Sequence, residues 1–578
     1  MKTQTKISQQ KQKATGSHFT PPDLAKFVSE RILATQILSF DKPITVLDPA
    51  CGDGELLLAF TKTIPLLQRS NLHLMGVDME RAAFEIANQR LTGIGVGKVD
   101  LQVADFLQLY NQVARVGENL IESADVIIAN PPYVRTQVLG SERSQQLSHS
   151  FGLSGRVDLY HAFLIAMTHC LKPGGILGVI TSNRFISTKG GASIRQFLTQ
   201  EYDIIELFDL GDTKLFDAAV LPAVFIGVRK QQELFYTTSY KARFLKIYET
   251  KHTQNDVRVG NTVSTIYDAM DVYQSGVYQT PGRDFEISVG MLQIPVDTKS
   301  PWIMVTGTEN DWVKIIDAAA WKRIEDITKV RVGVKTTADS VFIRRDWTNL
   351  DLNITPEATL LRPVYSNENA SKWIAKTPIF DLKKILYTHE IYKGKRAAIN
   401  LDDHPHAAAY LEIHRQKLSE RKYIIDAKRK WYEIWVPQDP AVWVTPKIIF
   451  PDISPDPRFF YDDQGAIVDG NCYWIALEPQ TDSDLLFLIL GIANTKIMTR
   501  YHDLVFNNKL YAGRRRYLTQ YVQKYPLPNP KNQASLKIIE MAKTLSTGNF
   551  SPQKQQVLED LLEIATAEAF GLPTEFMG

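Results

Sequence analysis

Short apolar runs alternate with helical patterns over the first 240 residues of the chain. The clearest β-rich runs lie at 44–48, 72–78, 125–129 and 175–180. Continuous apolar strands that are separated by helices indicate a largely parallel sheet with both faces covered. Two later runs, 204–210 and 221–228, are joined by a short connection, which predicts an antiparallel strand at the edge of the sheet. The pattern therefore predicts a doubly wound α/β domain of the Rossmann-like type.

The alternation stops beyond about residue 240, and a second domain is expected there. All nine tryptophans lie between Trp302 and Trp474, and strand and helix signals are mixed. Helical patterns cover 483–501 and 533–569. The expected division of the chain is a flexible leader at 1–15, the α/β domain at 16–240, and a mixed α+β domain at 241–578 that ends in a helical segment at about 530–570.

The composition is that of a globular protein. Of the 578 residues, 44% are hydrophobic and 22% are charged, and no uninterrupted apolar run is long enough to cross a bilayer. The polar start of the chain lacks the apolar core of a signal peptide, so a cytoplasmic location is expected. Cys51, Cys170 and Cys472 are far apart and odd in number, which supports neither a disulfide framework nor a zinc site. No metal is expected to take part in the chemistry.

A glycine-rich loop follows the first predicted strand. The strand ends at Asp48 and runs into Pro-Ala-Cys-Gly-Asp-Gly, with glycines at 52 and 54 before a helical pattern at 55–63. Glycine allows a tight turn and close approach of the backbone to a ligand, and open α/β sheets bind ligands at this end of their strands. The loop lacks the lysine of a phosphate-binding loop and the third glycine of a dinucleotide fingerprint. Taken alone, it fits an ordinary glycine turn equally well.

A carboxylate stands at the end of each of the next two strands. Asp78 lies thirty residues after Asp48, where it can accept hydrogen bonds from both hydroxyls of a ribose. Asp105 can accept a hydrogen bond from the amino group of an adenine, and the adjacent Phe106 offers an apolar face. Single acids at strand ends are more often helix N-caps. Their ordered succession along the chain nevertheless favours a nucleoside ligand.

The tetrapeptide Asn130-Pro131-Pro132-Tyr133 follows the strand at 125–129. Two consecutive prolines stiffen the turn, and they leave the Asn130 side chain and the Pro131 carbonyl free to accept hydrogen bonds. Two acceptors aimed at one amino group favour tetrahedral character at its nitrogen and turn the lone pair toward an electrophile. Tyr133 supplies an aromatic face for a planar base. Without the upstream glycine loop, an ordinary Asn-Pro turn is an equally good interpretation.

This succession of motifs resembles the amino-group DNA methyltransferases. The segment 48–54 is similar to their glycine-rich first motif, and the tetrapeptide at 130–133 is similar to their catalytic motif. The segment 16–22 is similar to the one that precedes the glycine loop in the gamma class, typified by the TaqI methyltransferase. The resemblance implies S-adenosylmethionine as cofactor and N6 of a flipped adenine in double-stranded DNA as target. The cofactor-binding residues that it implies are Thr20, Asp48, Ala50, Gly52, Gly54, Asp78, Asp105, Phe106 and Phe163.

The same resemblance implies the residues that act on the target base. Asn130, Pro131 and Tyr133 are the implied catalytic residues, and Tyr133 and Phe216 are expected to stack on the two faces of the base. Many relatives carry Asp at the first position of the tetrapeptide. Asn130 supplies the needed carbonyl without a charge, so no general base is expected. Burial in the core is the more common fate of a residue such as Phe216, and only its place in the motif order favours stacking.

Basic segments in the second half of the chain are candidates for DNA contacts. The net charge is only +2, but residues 371–430 hold 14 Lys and Arg against 7 Asp and Glu, and residues 491–530 hold 7 against 1. In the gamma class the target-recognition domain follows the catalytic domain, which agrees with the order here. A solvated helix face is the simpler interpretation of a charge run by itself. The candidate DNA-binding residues are Lys428, Arg429, Lys430, Lys509, Arg514, Arg515 and Arg516.

The expected function is sequence-specific adenine-N6 methylation of DNA within a restriction-modification system. Alternative targets of the same chemistry are cytosine N4, an RNA base and a protein glutamine, although a glutamine methyltransferase would not need a basic second domain of this size. A DNA-specificity module with a degenerate catalytic half is the alternative from a different class. Fewer than twenty residues precede the first motif, so any cognate restriction endonuclease is expected to be a separate polypeptide.

Overall fold

The chain divides into two compact units. The first comprises Met1–Glu309 with Val505–Asn507, and the second comprises Asn310–Leu504 with Asn508–Gly578. The computed structural model describes residues 19–116, 122–134, 141–152, 158–213, 215, 221–231, 241–250, 261–506 and 513–573.

One large sheet and the helices that cover it make up the described part of the first unit. The strands are β1 (Ile44–Asp48), β2 (Leu72–Asp78), β3 (Lys98–Val103), β4 (Ala124–Ala129), β5 (Leu171–Ser182), β6 (Tyr202–Asp209), β7 (Pro222–Arg229), β8 (Arg243–Thr250), β9 (Asn261–Thr262), β10 (Gly276–Thr280) and β11 (Arg283–Met291). The helices are α1 (Pro22–Leu33), α2 (Glu55–Thr63), α3 (Arg81–Leu91), α4 (Phe106–Val116), α5 (Ser141–Ser150), α6 (Leu159–Cys170), α7 (Arg184–Ser187), α8 (Ala192–Glu201) and α9 (Ile266–Val272).

The strand order is β3-β2-β1-β4-β5-β7-β6-β8-β11-β10-β9. β1 pairs in parallel with both β2 and β4, so the carboxyl ends of these three strands meet at one edge of the sheet. β5 is parallel to β4, whereas β7 is antiparallel to β5 and β6. The predicted doubly wound α/β fold is confirmed. The antiparallel strand lies inside the sheet rather than at its edge, because β8 pairs with β6 on the far side.

Side chains of the central strands alternate between two apolar layers, one on each face of the sheet. On β5, Leu177 and Val179 belong to one layer, and Ile176 and Ile180 belong to the other. Helices α6 and α8 contribute buried residues to the first layer, and α1 and α2 contribute to the second. Because successive side chains of a strand point to opposite faces, a strand between two helical layers is apolar throughout.

The sheet continues past residue 240, where the sequence pattern predicted the end of the domain. A buried ion cluster joins the strands after residue 240 to the part of the sheet that precedes them. Glu206 of β6 is 1% exposed, and Arg31 of α1 donates two hydrogen bonds of 2.8 Å to its carboxylate. Arg243 of β8 forms a second ion pair with the same carboxylate. A buried carboxylate needs such partners, and its second partner comes from beyond the predicted boundary.

Beyond residue 300 the strands are short and the sheets are small. The strands are β12 (Lys322–Arg323), β13 (Val330–Val332), β14 (Ile343–Arg344), β15 (Leu361–Tyr365), β16 (Lys384–Leu386), β17 (His389–Tyr392), β18 (Lys395–Ala398), β19 (Lys447–Pro451), β20 (Ile453–Ser454), β21 (Phe460–Asp462), β22 (Ile467–Val468), β23 (Cys472–Ile475), β24 (Arg515–Arg516) and β25 (Pro526–Leu527). The helices are α10 (Gly307–Ala319), α11 (Asp339–Phe342), α12 (Pro405–Ile413), α13 (Arg415–Ser419), α14 (Lys422–Asp426), α15 (Asp484–Ala493), α16 (Lys496–Phe506), α17 (Thr519–Val522), α18 (Gln533–Thr547) and α19 (Pro552–Phe570). This mixture agrees with the predicted α+β character.

Both long helical patterns of the second half are divided into two helices. Between α15 and α16, the Asn494 side chain exchanges hydrogen bonds of 3.1 and 2.9 Å with the backbone of Phe459, and Thr495 caps α16 by accepting from the N–H of Met498 at 3.1 Å. Between α18 and α19, Ser551 is the N-cap of α19 and a proline occupies the first helical position. Capping residues and a proline at the first helical position start a new helix.

Neither a membrane span nor a metal cluster is found in the described part of the chain. Each described helix is too short or too polar to cross a bilayer. The described residues also include no group of three or more His, Cys, Asp or Glu that could hold a metal ion. Cys51, Cys170 and Cys472 are buried free thiols.

Candidate active site

The loop between β1 and α2 passes close enough to α3 to require glycine. Gly54 has a φ of +81°, and a Cβ there would lie 3.1 Å from the Cβ of Ala87. Gly52 also has a positive φ, +52°, but among the described residues its Cβ would meet only the ring of Phe19, at 3.7 Å. Gly54 therefore serves the packing of the two helices, whereas Gly52 leaves space above the loop for a ligand.

Hydrogen bonds tie this loop to the end of β2. The N–H of Cys51 donates to the carbonyl of Val77 at 3.0 Å, and the N–H of Gly52 donates to Oδ2 of Asp78 at 2.8 Å. Oδ1 of Asp78 accepts from the N–H of Glu80 at 2.8 Å. A carboxylate oxygen carries more than one lone pair and can accept from a ligand hydroxyl as well. The structure thus places Asp78 directly against the glycine loop.

Two neighbours of the loop were not singled out from the sequence. Met79 is 67% exposed and adds an apolar surface beside Asp78. Arg90 of α3 pairs with Asp53, with 2.6 Å between Nη1 and Oδ2, and also with Glu55. The place of Met79 next to an expected ligand acid was an available signal. The distance along the chain between Arg90 and its partners concealed their ion pairs.

Asp48 at the end of β1 has one carboxylate oxygen without a partner. The residue is fully buried. Its Oδ1 accepts from the N–H of Ala50 at 3.1 Å, whereas Oδ2 meets no donor in the described part of the chain. Burial, and to a lesser degree the nearby carboxylates of Asp78 and Asp53, raise the pKa of Asp48 to about 8. A cationic ligand at this edge would favour the ionised form.

The third predicted acid caps a helix, and the phenylalanine after it packs against a second candidate. Oδ1 of Asp105 accepts from the N–H groups of Leu107 at 3.0 Å and Gln108 at 3.3 Å, at the start of α4. Phe106 is 1% exposed, and its ring centroid lies 5.6 Å from that of Phe163 on α6. The structure therefore brings Phe106 and Phe163 together, and Asp105 fulfils the N-cap role that was its alternative interpretation.

The tetrapeptide at 130–133 forms a corner after β4, and we call it the 130–133 corner. The Nδ2 of Asn130 donates to Oγ1 of Thr20 at 3.0 Å, and the hydroxyl of Tyr133 donates to Oδ1 of Asn130 at 2.5 Å. These two bonds fix the orientation of the amide. They also join two motifs that are 110 residues apart, Thr20 and Asn130.

The phenol of Tyr133 stays neutral under ordinary conditions. Desolvation raises its pKa well above the usual value, and the neighbouring Tyr160 adds to the shift. A neutral phenol can donate to the carbonyl oxygen of Asn130, whereas a phenolate could only accept. Tyr133 is therefore held as a donor, and the 130–133 corner contains no group that ionises near neutral pH.

A buried polar cluster at the ends of β5 and β6 was also missed by the sequence reasoning. Nδ2 of Asn183 donates to Oδ1 of Asp209 at 2.9 Å, and the hydroxyl of Tyr248 donates to Oδ2 of Asp209 at 2.9 Å. An Asn that directly follows an apolar strand was the available signal. The bonds connect the carboxyl ends of β5 and β6, which β7 separates, and they also tie β6 to β8.

Two parts of the chain match described families. Residues 73–216 match the Eco57I restriction-modification methylases, and residues 389–527 match the TaqI-like C-terminal specificity domain. The Type II methyltransferase M.BanIII of Aneurinibacillus aneurinilyticus is 47% identical to this chain over 571 residues, which are 97% of this chain and 98% of that protein. The chain belongs to the Type II DNA methyltransferases of restriction-modification systems.

More distant relatives and solved structures also resemble this methyltransferase. The Type II methyltransferase M.BstVI of Geobacillus stearothermophilus is 23% identical, over 91% of this chain and 92% of that protein. A class I S-adenosylmethionine-dependent methyltransferase structure from Listeria monocytogenes is 20% identical with a TM-score of 0.32, and the match covers 39% of this chain and 65% of that one. A DrdV–DNA complex is 12% identical with a TM-score of 0.49, over 92% and 57%.

S-adenosylmethionine is the cofactor of this methyltransferase, in agreement with its family. The residues at the carboxyl edge of the sheet fit that group. The open space over Gly52, the carboxylate of Asp78 and the exposed side chain of Met79 suit a nucleoside. The unpartnered oxygen of Asp48 lies in a cluster of carboxylates, which suits a ligand with a positive charge.

The basic segment at 428–430 only partly presents its charge to solvent. Arg429 of this methyltransferase is half-buried and pairs with Glu433 at 2.7 Å. It also donates to the carbonyls of Ile434 and Trp435 at 3.0 and 2.7 Å. Lys428 and Lys430 are exposed, and Nζ of Lys430 lies 5.6 Å from the ring centroid of Tyr432. Arg429 therefore stabilises its own loop.

The arginine run at 514–516 divides in the same way. Arg515 forms two hydrogen bonds of 2.7 Å with the carboxylate of Asp503, and Nη2 of Arg516 lies 2.5 Å from Oδ2 of Asp452. Arg514 is exposed and has no ion pair among the described residues. Two further predicted site residues, Phe216 and Lys509, lie outside the described residues.

Proposed function

We propose that this methyltransferase transfers a methyl group from S-adenosylmethionine to N6 of an adenine that is flipped out of double-stranded DNA. The observation that carries the proposal is the 130–133 corner, in which Thr20 and Tyr133 hold the Asn130 amide from both ends. The corner lies after β4, next to the strand that ends in the glycine loop. An amino group bound there would meet fixed acceptors.

Fixed acceptors are the contribution that the chain makes to catalysis. Because Nδ2 of Asn130 donates to Thr20, the orientation of the amide is fixed, and its carbonyl oxygen is the acceptor that we propose for the amino group. That oxygen accepts from Tyr133 and has a second lone pair for an amino hydrogen. Together with the carbonyl of Pro131, it can hold both amino hydrogens and direct the nitrogen lone pair out of the base plane. Acceptors that are already in place require no reorganisation during the reaction.

No residue of the corner needs to remove a proton before methyl transfer. Asn130 is uncharged, and burial keeps Tyr133 protonated. The methylated amino group becomes acidic once it carries a positive charge, and its proton can leave to solvent. The cofactor supplies the methyl group on a sulfonium, which is a strong electrophile. The protein then has to orient the nucleophile and exclude water.

We assign the cofactor to the groups around the glycine loop. Asp78 would accept from the ribose hydroxyls, Asp105 would accept from the adenine amino group, and Phe106 with Phe163 would provide the apolar wall. The residues assigned to the methionine end of the cofactor and to the glycine loop are Thr20, Asp48, Ala50, Gly52 and Gly54. Support comes from the hydrogen bond between Gly52 and Asp78 and from the contact between the two phenylalanine rings.

The remaining proposals concern the surroundings of the reaction. We place catalysis in the first unit, with β8 to β11 as part of the catalytic domain, and target recognition in the second unit. Phe216 is proposed to stack on the flipped base opposite Tyr133, and Lys428, Lys430, Lys509 and Arg514 are proposed to contact DNA. The enzyme is proposed to act in the cytoplasm beside a separate restriction endonuclease. The match of residues 389–527 to a specificity domain supports the division of labour.

Nucleoside analysis of methylated DNA tests the proposal. Purified enzyme is incubated with double-stranded DNA and S-adenosylmethionine, the DNA is digested to nucleosides, and the products are separated by mass spectrometry. The expected product is N6-methyl-2′-deoxyadenosine. Single-stranded RNA of the same sequence should gain no methyl groups. N4-methylcytosine as the product would overturn the adenine assignment.

A further inference from the structure

A β-hairpin in the second unit projects a concentrated positive charge. β17 and β18 pair only with each other among the described strands. They are joined at Lys393 and Gly394, whose φ values of +50° and +72° are both positive. Positive φ at both central residues is the mark of the two-residue turn that matches the twist of a hairpin. The element is a regular two-stranded ribbon with a tight end.

The end of this hairpin is exposed on both faces. Every residue from 390 to 396 is exposed, and these seven positions are called the hairpin tip below. Tyr392 lies opposite Lys395, and Ile391 lies opposite Arg396. Since opposite residues share a face and neighbours alternate, one apolar side chain and one cation lie on each face. Tyr392 is 58% exposed and Ile391 is 43% exposed. Each face of the ribbon therefore presents an apolar side chain and a cation to solvent.

The cations of the hairpin tip form no ion pair among the described residues. Lys393, Lys395 and Arg396 lie within four positions, and Glu390 is the acid of the tip, at its base. Nζ of Lys393 lies 5.2 Å from the ring centroid of Tyr392, and Arg396 donates to the carbonyl of Gln438 at 3.2 Å. These charges differ from those of Arg429 and Arg515, because they are available to an external anion.

The base of the hairpin is fixed by the neighbouring basic loop. Oγ1 of Thr388 donates to the carbonyl of Tyr432 at 3.1 Å, and the hydroxyl of Tyr432 donates to the carbonyl of Ile399 at 2.7 Å. The buried His389 lies 3.4 Å from the carboxylate of Glu433, which Arg429 holds from the other side. An isolated two-stranded hairpin is marginal in water. Here the loop at 429–435 supports it.

We propose that the hairpin tip enters the major groove of the target DNA, with Lys393 and Lys395 on phosphates and Tyr392 against base edges. The inference rests on the proposed function, since it assumes that DNA is the substrate. The major groove is about 12 Å wide and admits a two-stranded β-ribbon. Three exposed cations with no ion pair among the described residues complement the phosphate backbone that lines the groove. The match to a specificity domain begins at residue 389, the first residue of β17.

The dependence of DNA affinity on salt concentration tests the phosphate contacts. The probe is a short duplex that carries the site which the full-length enzyme methylates in cells, found by sequencing that detects modified bases. The double variant Lys393→Ala/Lys395→Ala should make the plot of log affinity against log salt less steep by about 1.8, because each lost phosphate contact removes about 0.9. An unchanged slope would overturn the proposal.

The matched control is Lys554→Ala. Lys554 is exposed and its Nζ lies 4.9 Å from the ring centroid of Phe550, so it reproduces the setting of Lys393 on another part of the second unit. Its slope should equal that of the wild type. All variants should unfold at the wild-type temperature, because the substituted side chains are exposed.

Tyr392→Ala tests the contact with base edges. It should reduce the preference for the methylated site over an unrelated duplex by about tenfold, with the salt slope unchanged, whereas Tyr392→Phe should keep the preference. Equal preference in Tyr392→Ala and wild type would contradict the base contact. The salt slope measures DNA binding alone. An unchanged slope would therefore overturn the hairpin proposal even if the wild-type enzyme forms N6-methyladenine. Conversely, a methylated base other than adenine would overturn the proposed function even if the slope changes as expected.

Discussion

The carboxyl edge of the first unit's sheet and the basic segments of the second unit, 428–430 and 514–516, use their polar groups differently. At the sheet edge, the amide of Asn130 is oriented by neutral hydroxyls, and the buried Asp48 retains an oxygen with no described donor. In the basic segments, Arg429 and Arg515 are bound to carboxylates of their own unit. A hydrogen bond from a neutral hydroxyl orients a polar group that can still bind a ligand. In an ion pair, by contrast, the charge already has a partner within the protein.

The largest effect should come from removal of the oriented amide. Asn130→Ala should lower kcat by at least about 100- to 1000-fold, the usual loss when one preorganised polar contact of a reaction centre is deleted. Binding of duplex DNA should stay close to that of the wild type. The measurement is methyl transfer from labelled cofactor at saturating DNA.

Asn130→Asp is the matched control, because it keeps an acceptor oxygen at the same position. It should retain far more activity than Asn130→Ala. Wild-type turnover in Asn130→Ala would show that the 130–133 corner does not act on the amino group.

The second effect concerns Asp48 and the pH dependence of stability. Burial raises the pKa of Asp48 from its ordinary value of 3.8 to about 8 in the folded protein. Between about pH 4 and pH 8 the folded state therefore holds a proton that the unfolded state has released, so the free energy of unfolding falls as pH rises. Asparagine does not titrate, so the Asp48→Asn variant lacks this contribution to the pH dependence. Denaturant unfolding should show the wild type losing stability relative to the variant across that window.

A difference between Asp48→Asn and wild type that stays constant from about pH 4 to pH 8 would contradict the raised pKa. Saturating cofactor should weaken the pH dependence, because a cation beside the carboxylate favours its ionised form.

The third effect separates neighbouring arginines of the second unit. Arg515→Ala removes two charge-assisted hydrogen bonds to the half-buried Asp503 and should reduce the free energy of unfolding by about 1–3 kcal/mol. Arg514→Ala removes an exposed side chain and should change it by no more than about 0.5 kcal/mol. If Arg514 contacts a phosphate, its variant should instead lower the salt slope of DNA binding by about 0.9. Equal stability losses in both variants would remove the distinction between structural and available cations.

The smallest effect is expected for Tyr133→Phe. The variant keeps the ring but removes the donor to Oδ1 of Asn130, and a single hydrogen bond of this kind contributes about 0.5–1.5 kcal/mol. We expect kcat/KM to fall about three- to tenfold. Tyr133→Ala also removes the stacking surface and should reduce kcat/KM further. Identical kinetics of Tyr133→Phe and Tyr133→Ala would exclude a contribution from stacking.

Local sequence was sufficient for the parts of the site that lie next to strands. Apolar runs placed the strands. Asp78 at the end of β2 and Asn130 directly after β4 came to the same edge because parallel strands end together. Partners that are distant in sequence could not be predicted. The ion pair of Arg515 with Asp503 and the joining of β8 to β6 through Glu206 depend on tertiary contacts, which a charge count does not contain.

A few missed features did have local signals. Ser551 with the following proline marks a helix start inside the long pattern at 533–569. The glycine at 394 is a turn signal, although the Lys-Arg-Ala-Ala that follows it does not have the composition of a strand. Both signals are turn chemistry, which hydrophobic periodicity does not report.

The most direct test of the central claim is a crystal structure of the enzyme with duplex DNA and a non-reactive analogue of S-adenosylmethionine. An adenine should be flipped out of the duplex, with its amino nitrogen within hydrogen-bonding distance of Oδ1 of Asn130 and of the carbonyl of Pro131. A different base in that position, or an adenine amino group bound away from the 130–133 corner, would contradict the account.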